Sequence, residues 1–305
     1  MRKIPAFHFA LLLLALWSLP ANGQRRILDR SPLDTVGKEP SQEVGWEVLK
    51  TFRSLGWDGG YHWRVQLKIM PRREKTRYLN GIIYGDRTDS GPISRIDIIE
   101  QPMDVDADGN PTERQVLRLL LQSGQNPYAL QKRSGEAGPP QVVSSADAME
   151  KIAGSEFSPF DLMAPYVYWP HFRYEGRTTF RGSPTHLFWM YPPEEDEPLK
   201  ERISGVRLYI NDQFNVLIQT EIFGATGRKL KTIYIIGVNK VDGQTIFKEL
   251  DARNEVTRDK TRLKIVDASM GLDLPDSLFT AQSLMEDLQS QTIPMARQET
   301  FEPVQ

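Results

Sequence analysis

A chain of 305 residues, 39% hydrophobic and with a formal net charge of −2, has apolar material for one large domain or two smaller ones. It contains no cysteine, which excludes disulfides and the lipidated cysteine that tethers a bacterial lipoprotein. It shows no basic stripe, so no nucleic-acid partner is expected.

Arg2 and Lys3, the apolar run from Phe7 to Leu19 and the small-residue site Ala21-Asn22-Gly23 predict a cleaved secretory signal peptide over residues 1–23. The apolar run is short for a bilayer span, and no second one follows. Removing Arg2 and Lys3 leaves 36 basic against 40 acidic residues, a net charge of −4. The mature chain is therefore expected to be soluble and outside the cytoplasm.

Residues 24–40 lack a sustained period and read as a flexible leader, as do 291–305 for a flexible tail, leaving 41–290 as a single domain. After Ser41 a helix is predicted, with Val48, Leu49, Phe52 and Leu55 on one stripe and Gly56 as its stop. From Tyr61 the period becomes two: Trp63, Val65, Leu67 and Ile69 alternate with His62, Arg64, Gln66 and Lys68, a half-buried strand. Further strands are predicted over 76–84, 93–100, 115–122 and 129–132, and a short helix over 144–153.

Gly154-Ser155-Glu156-Phe157-Ser158-Pro159-Phe160-Asp161-Leu162 then reads as a complete helix start. Ser158 is the N-cap, Pro159 the first helical residue and Asp161 the return partner of a capping box, and Phe157 and Leu162 can close a hydrophobic staple. An aromatic run, residues 166–174, follows. Strands resume over 173–180, 186–191, 205–211, 216–223, 229–238, 245–252 and 261–268, most of them separated by turn signals such as Asp242-Gly243. Short links between consecutive strands imply an antiparallel meander, and about a dozen strands in one sheet must curl or close. Strand 229–238 is apolar on both faces. Either it is a central strand covered on both sides, or its inner face, with Tyr234 and Ile236, lines a cavity for an apolar guest.

The catalytic motif search is empty: there is no nucleophile elbow, phosphate-binding loop, dinucleotide fingerprint or His-Glu-x-x-His. His62, His171 and His186 have no metal-ligand spacing and are expected to be structural. Asp104, Asp106 and Asp108 match the start of a calcium loop, but its twelfth position is Gln115 instead of Glu, so a polar turn is the preferred reading and neither metal nor cofactor is expected. Glu194-Glu195-Asp196-Glu197 reads as a solvated loop. The aromatic run is either barrel packing or the mouth of a lipid groove, with Tyr166, Trp169 and Phe172 as wall candidates beside Tyr234 and Ile236.

The capped stretch resembles the Gly-Ser-Asp-Phe-Ser-x-x-Asp-Leu signature of the bacterial LolA-like outer-membrane lipoprotein-sorting proteins, carried here by Gly154, Ser155, Phe157, Ser158, Asp161 and Leu162. Val206 to Ile210, Gly227 to Thr232, Val241-Asp242-Gly243, Thr261 to Val266 and Leu274 to Thr280 are similar to later family segments. The likeness spans roughly residues 45–290 and is strongest from 154 onward. Glu156 stands where Asp is usual, and Pro159-Phe160 where Tyr-Glu is common.

The resemblance implies an incompletely closed antiparallel β-barrel of about 11–12 strands, with a few helices against its open, concave side. It further implies a periplasmic, non-enzymatic carrier of lipid or lipoprotein acyl chains, with membrane-anchored donor or acceptor proteins as further partners. It also implies an arginine that locks a helical lid, which no motif places here. The competing expectations are an envelope-stress sensor of the same fold that binds a membrane-anchored regulator, and a secreted hydrolase.

Overall fold

Strands with short connections pair with their sequence neighbours, and this chain does so almost without exception. The computed structural model describes residues 39–101 and 114–287. Helix α1 (Gln42–Ser54) leads into strands β1 (Gly60–Met70), β2 (Arg77–Thr88), β3 (Gly91–Gln101), β4 (Gln115–Gln122), β5 (Tyr128–Arg133) and β6 (Gln141–Val143). Short helical turns and α2 (Pro159–Met163) follow, then β7 (Phe172–Phe180), β8 (Ser183–Met190), α3 (Glu197–Lys200) and β9 (Ile203–Asn211). The meander ends with β10 (Leu217–Gly224), β11 (Lys229–Val241), β12 (Gln244–Asn254) and β13 (Lys260–Leu272), and two 3-10 turns, Asp276–Phe279 and Gln282–Met285.

All thirteen strands form one antiparallel sheet in the order β6-β5-β4-β3-β2-β1-β13-β12-β11-β10-β9-β8-β7. The two meanders join where β1 pairs with β13, and the free edges are β6 and β7. The sheet is thus an open barrel whose seam lies between β6 and β7. All twelve expected strands are present; the thirteenth, β6, has three residues, too few to show a period. Asp242 and Gly243 both take positive φ, 47° and 81°, the two-residue turn that matches strand twist and that Asp-Gly favours.

The sheet is curled around the segment that crosses the seam. Arg77 of β2 donates to Ala153 O (2.8 Å), Ser123 after β4 to Met163 O (2.7 Å), Lys231 of β11 to Asp161 (2.6 Å), and Glu156 N to Thr261 of β13 (2.8 Å). Eleven residues reach three distant strands and the β4–β5 turn only if the sheet wraps around them. Inside, Trp63, Val65, Leu67 and Ile69 of β1 are buried as the alternation predicts, against Phe157, Phe160 and Tyr166. The void left among Val65, Leu67, Ile83, Ile96, Ile98, Ile152, Phe157, Leu162 and Leu263 is about 10 Å³, room for at most one water. The hollow of the barrel is filled by the protein itself.

Helix α1 begins as expected, with Ser41 accepting from Val44 N. Its stop differs: Leu55 turns extended and lies exposed, and Arg87 of β2 donates to Leu55 O and Arg53 O, so a cation from the sheet covers the free carbonyls before Gly56 is reached. Leu49 faces the core, and Gly45 lies so close to Tyr174 of β7 that a Cβ there would approach its Cβ to 2.4 Å. Gln42 completes this seat, accepting from Tyr174 N (2.7 Å) and donating to Tyr174 O (3.0 Å), as a neighbouring strand would. Among the described residues no helix is long and apolar enough to cross a membrane. The expected signal peptide, most of the leader, the tail and the aspartates 104, 106 and 108 lie outside the described residues.

Candidate functional site

The helix start at 158 is built as its sequence dictates. Ser158 accepts from Asp161 N, Asp161 Oδ2 accepts from Ser158 N (2.8 Å), and Pro159 opens the helix. The same Oδ2 accepts from Ser158 Oγ (2.8 Å) and from Lys231 Nζ (2.6 Å). Side-chain exposures of 1% for Asp161 and 15% for Lys231 make this a buried ion pair that pins α2 to β11. Gly154 sits at φ +67°, and the Ser155 hydroxyl accepts from Phe157 N (3.2 Å). Phe157 and Leu162 both pack inside the barrel, where the staple puts them. Buried Glu156 pairs with Lys151 and accepts from Asn254 (3.2 Å). These signature residues therefore anchor the crossing segment.

What the segment leaves open is a groove along the seam, of about 990 Å³. Phe160, Met163, Pro165, Tyr168 and Trp169 form its floor. One wall is the β4–β5 turn, Gly124 to Tyr128; the other is α1 through Trp46 and Arg53 and the β8–β9 loop through Glu195, Asp196 and Leu199. Arg53 donates to Val167 O (2.7 Å) and Trp169 O (2.9 Å), tying α1 to the floor. Ser145, past β6, donates to Asp196 (2.7 Å), so the β8–β9 loop bridges the seam. Two large aromatic residues on the rim are left in water, Trp46 at 44% and Tyr128 at 42% exposure. Trp46 stacks on Phe172 (6.2 Å between centroids, 10° between planes), and on the far side of that stack a second, more open cavity of about 930 Å³ is lined by Phe172, Tyr191, Glu194, Glu197 and Lys200.

Of the expected wall residues, Trp169 lines the groove and Phe172 the neighbouring cavity. Tyr166 lies beneath the floor, against Phe160 and Trp169, and hydrogen-bonds Thr220; burial pushes its hydroxyl pKa above the usual tyrosine range. Tyr234 and Ile236 do not line it. Ile233 of β11 and its partner Ala252 point into the core, so Tyr234 and Asp251 point outward. There Tyr234 donates to Asp251 (3.2 Å) beneath the Arg181 guanidinium. Burial works against the Asp251 charge, but hydrogen bonds from Arg262 and Lys260 hold its pKa below the usual range. Ile236 is 42% exposed because β10 stops pairing at Tyr234 and the far half of β11 pairs with β12 alone. Strand β11 is thus not covered on both faces.

The groove residues that sequence reasoning missed are Trp46, an aromatic off the apolar stripe of α1, and the β4–β5 turn, which carries no chemical motif. His171 lines the second cavity, and the other two histidines sit apart from it. His62 stacks on Tyr84 (4.6 Å), and burial lowers its pKa. His186 bridges Tyr174 OH (2.7 Å) and Asp212 (2.8 Å), and its hydrogen bond holds the Asp212 carboxyl below the usual range. Among the described residues no group of acidic and histidine side chains is arranged to hold a metal ion.

A domain provisionally described as an outer membrane lipoprotein-sorting protein, from Vibrio parahaemolyticus, superposes with a TM-score of 0.67 at 16% identity, over 81% of this chain and 100% of its own. A DUF1329 family protein from Desulfovibrio piger gives 0.65 at 13% identity, over 79% and 98%. A LolA superfamily protein from Nitrosomonas europaea gives 0.56 at 14% identity, over 78% and 98%. The fold is LolA-like. A family model described only as "-like: Uncharacterized protein" matches residues 136–286, and no curated protein matches the chain. That matched stretch starts before β6 and runs to the last 3-10 turn, so it takes in the crossing segment and the whole second meander of the LolA-like sheet.

Proposed function

We propose that the chain is a periplasmic carrier that shelters an acyl chain of a lipid or lipoprotein in the seam groove, receiving and delivering it by contact with membrane-anchored proteins and without covalent chemistry. The observation that carries this reading is the groove itself, with an aromatic and aliphatic floor and about 990 Å³ of space. That volume falls at the upper end of the roughly 300–1,000 Å³ of ordinary ligand sites. Each methylene taken out of water contributes about 0.8 kcal/mol, so a chain of about 14 methylenes is worth on the order of 11 kcal/mol. A flat stripe burying half of it would lose the cargo to a bilayer, whereas a walled groove competes. The guest space lies at the seam instead of deep in the barrel, because Phe157, Phe160 and Tyr166 fill the hollow.

The test is mass spectrometry of gently purified protein for co-purifying lipid, with titration by a fluorescent sixteen-carbon fatty acid. Saturable uptake is expected, weakened about tenfold or more by Tyr128→Asp, which puts a charge on the rim at a site exposed enough to spare the fold. Absence of bound lipid together with absence of uptake sinks the reading.

A further inference from the structure

On the side of the sheet away from the core, β3, β4 and β5 carry a buried row of cations. Ile96, Ile98, Leu117 and Leu119 point into the core, so Arg95, Asp97 and Arg118 stand on the outer face. In register, Asp97 lies beside Arg118, and Arg118 beside Lys132. The last 3-10 turn covers them: Leu284 packs on Ile93 and Leu120, and Glu286 O accepts from Arg95 Nη2 (2.8 Å). Arg95, Asp97, Arg118 and Lys132 are consequently only 0%, 7%, 8% and 4% exposed. Three cations share one buried carboxylate. Arg95 spends Nε and Nη2 on Asp97 (3.1 and 3.3 Å), and Lys132 donates to Glu136 O (2.6 Å) and Gly138 O (2.7 Å). Arg118 Nε stands 3.7 Å from Asp97, too far for a hydrogen bond. Among the described residues, neither Arg118 Nε nor Arg95 Nη1 has an acceptor, although both are sealed from water.

A buried lysine can shed its proton, but a guanidinium cannot, so this charge needs an anion beside it. Asp97 does not supply the balance: burial pushes its carboxyl above the usual range against the pull of both arginines. Asp287, whose charge also bears on Asp97, is half-exposed and held by Arg114 (3.0 Å). Buried donors without acceptors call for a partner of their own, and the planar fork of a guanidinium matches an oxyanion. We propose that Arg118 and Arg95 hold a small phosphate-type oxyanion on the outer face of β3 and β4, beneath the last 3-10 turn. The Arg118 side chain keeps 10% of its surface in water, which admits a free ion or the tip of a phosphorylated headgroup and nothing broader. The site lies across the sheet from the crossing segment, goes beyond the carrier reading and does not depend on it.

The test compares the parent chain with Arg118→Met and, as a control of equal charge loss, Arg228→Met on the exposed β10–β11 turn. Thermal midpoints are followed against inorganic phosphate, with sodium chloride at matched ionic strength as the reference. For the parent and Arg228→Met the midpoint is expected to rise by about 3–5 °C per tenfold step of phosphate beyond the dissociation constant, since a ligand of the folded state stabilises it logarithmically. Arg118→Met is expected to bind phosphate at least about tenfold more weakly. In chloride its midpoint is expected to equal or exceed that of the parent, because an unmatched charge has left the interior. A purely structural arginine gives the reverse, a lower midpoint in chloride with the phosphate response intact, and overturns the inference. So does a rise shared equally by all three proteins, which is the general effect of an excluded salt. Cosedimentation with phosphatidylcholine vesicles carrying phosphatidic acid separates the two sources of phosphate. Vesicle binding lost in Arg118→Met assigns the group to a lipid headgroup; a phosphate response without vesicle binding assigns it to a free ion. No acyl chain need enter the groove in either arm, so failed fatty-acid uptake sinks the carrier reading and leaves this result standing.

Discussion

Asp161 places three donors on one carboxylate oxygen, from Ser158 N, Ser158 Oγ and Lys231 Nζ, in a site nearly sealed from water. Removing one partner of such a pair leaves a charge that the interior cannot solvate, at a cost of about 3–5 kcal/mol. Lys231→Met is therefore expected to lower the unfolding free energy measured in urea by that amount, while Lys231→Met with Asp161→Asn recovers part of the loss. No recovery in the double variant counts against charge burial as the cause. The cap was legible because Ser158 and Asp161 are three residues apart. Lys231 was not assigned as a partner, since nothing local links it to a residue seventy positions away. A second expectation at this scale concerns pH. Burial holds His62 neutral and lowers its pKa below the usual value of about 6.5, so the unfolded chain binds the proton more readily. Stability from this group is complete above that value and falls as pH drops through the lowered pKa. His62→Phe, which keeps the stack on Tyr84, is expected to flatten the decline between neutral and mildly acidic pH in denaturant titrations. An unchanged slope assigns the decline to other groups.

Helix α1 is where the chemistry of single residues becomes the placement of an element. Its start and its stripe follow from Ser41, Val48, Leu49 and Phe52, but its seat depends on Gln42 and Gly45, which helical period alone does not mark. Gln42→Ala leaves Tyr174 N–H and C=O without their side-chain partner on a free sheet edge, a loss of about 1–3 kcal/mol. An uncovered edge is also a template for another strand, so light scattering is expected to show concentration-dependent association that the parent chain lacks. A monomeric variant refutes that role for Gln42. Gly45→Ala places its new carbon 2.4 Å from Tyr174 Cβ, and the overpacking is expected to cost about 1–3 kcal/mol or lift the helix. Strand β11 shows the converse limit. Its apolar residues were plain, but period two leaves open which alternate set faces inward, and the outward set is held by Asp251, Arg262 and Arg181, none of them adjacent in sequence.

Across the whole molecule the antiparallel pairing of consecutive strands follows from short links between alternating segments, and that much was readable from turn signals and period; the open seam was implied only by the family resemblance, and the β1–β13 join, a long-range pairing, left no local signal. The location of the groove was not, because it depends on how fully residues 152–169 fill the curl. Beside Phe157 and Leu162 about 10 Å³ is left, against about 990 Å³ at the seam above Phe160. A guest held at the seam touches the β4–β5 turn, the residues after β6, the floor from Met163 to Pro170 and the β8–β9 loop. It does not reach β1 or β13, which lie at the centre of the sheet, farthest in strand order from both free edges. Hydrogen exchange with and without a sixteen-carbon fatty acid separates the two placements. Added protection is expected in 124–129, 144–148, 163–170 and 193–199, with the amides of β1 and β13 unchanged, since their ladder is complete before the guest arrives. Altered exchange in β1 and β13 instead means that the crossing segment swings out and the chain enters the hollow. In that event Lys231→Met, by loosening α2 from β11, tightens binding even as it destabilises the fold, whereas a seam-bound guest is indifferent to it.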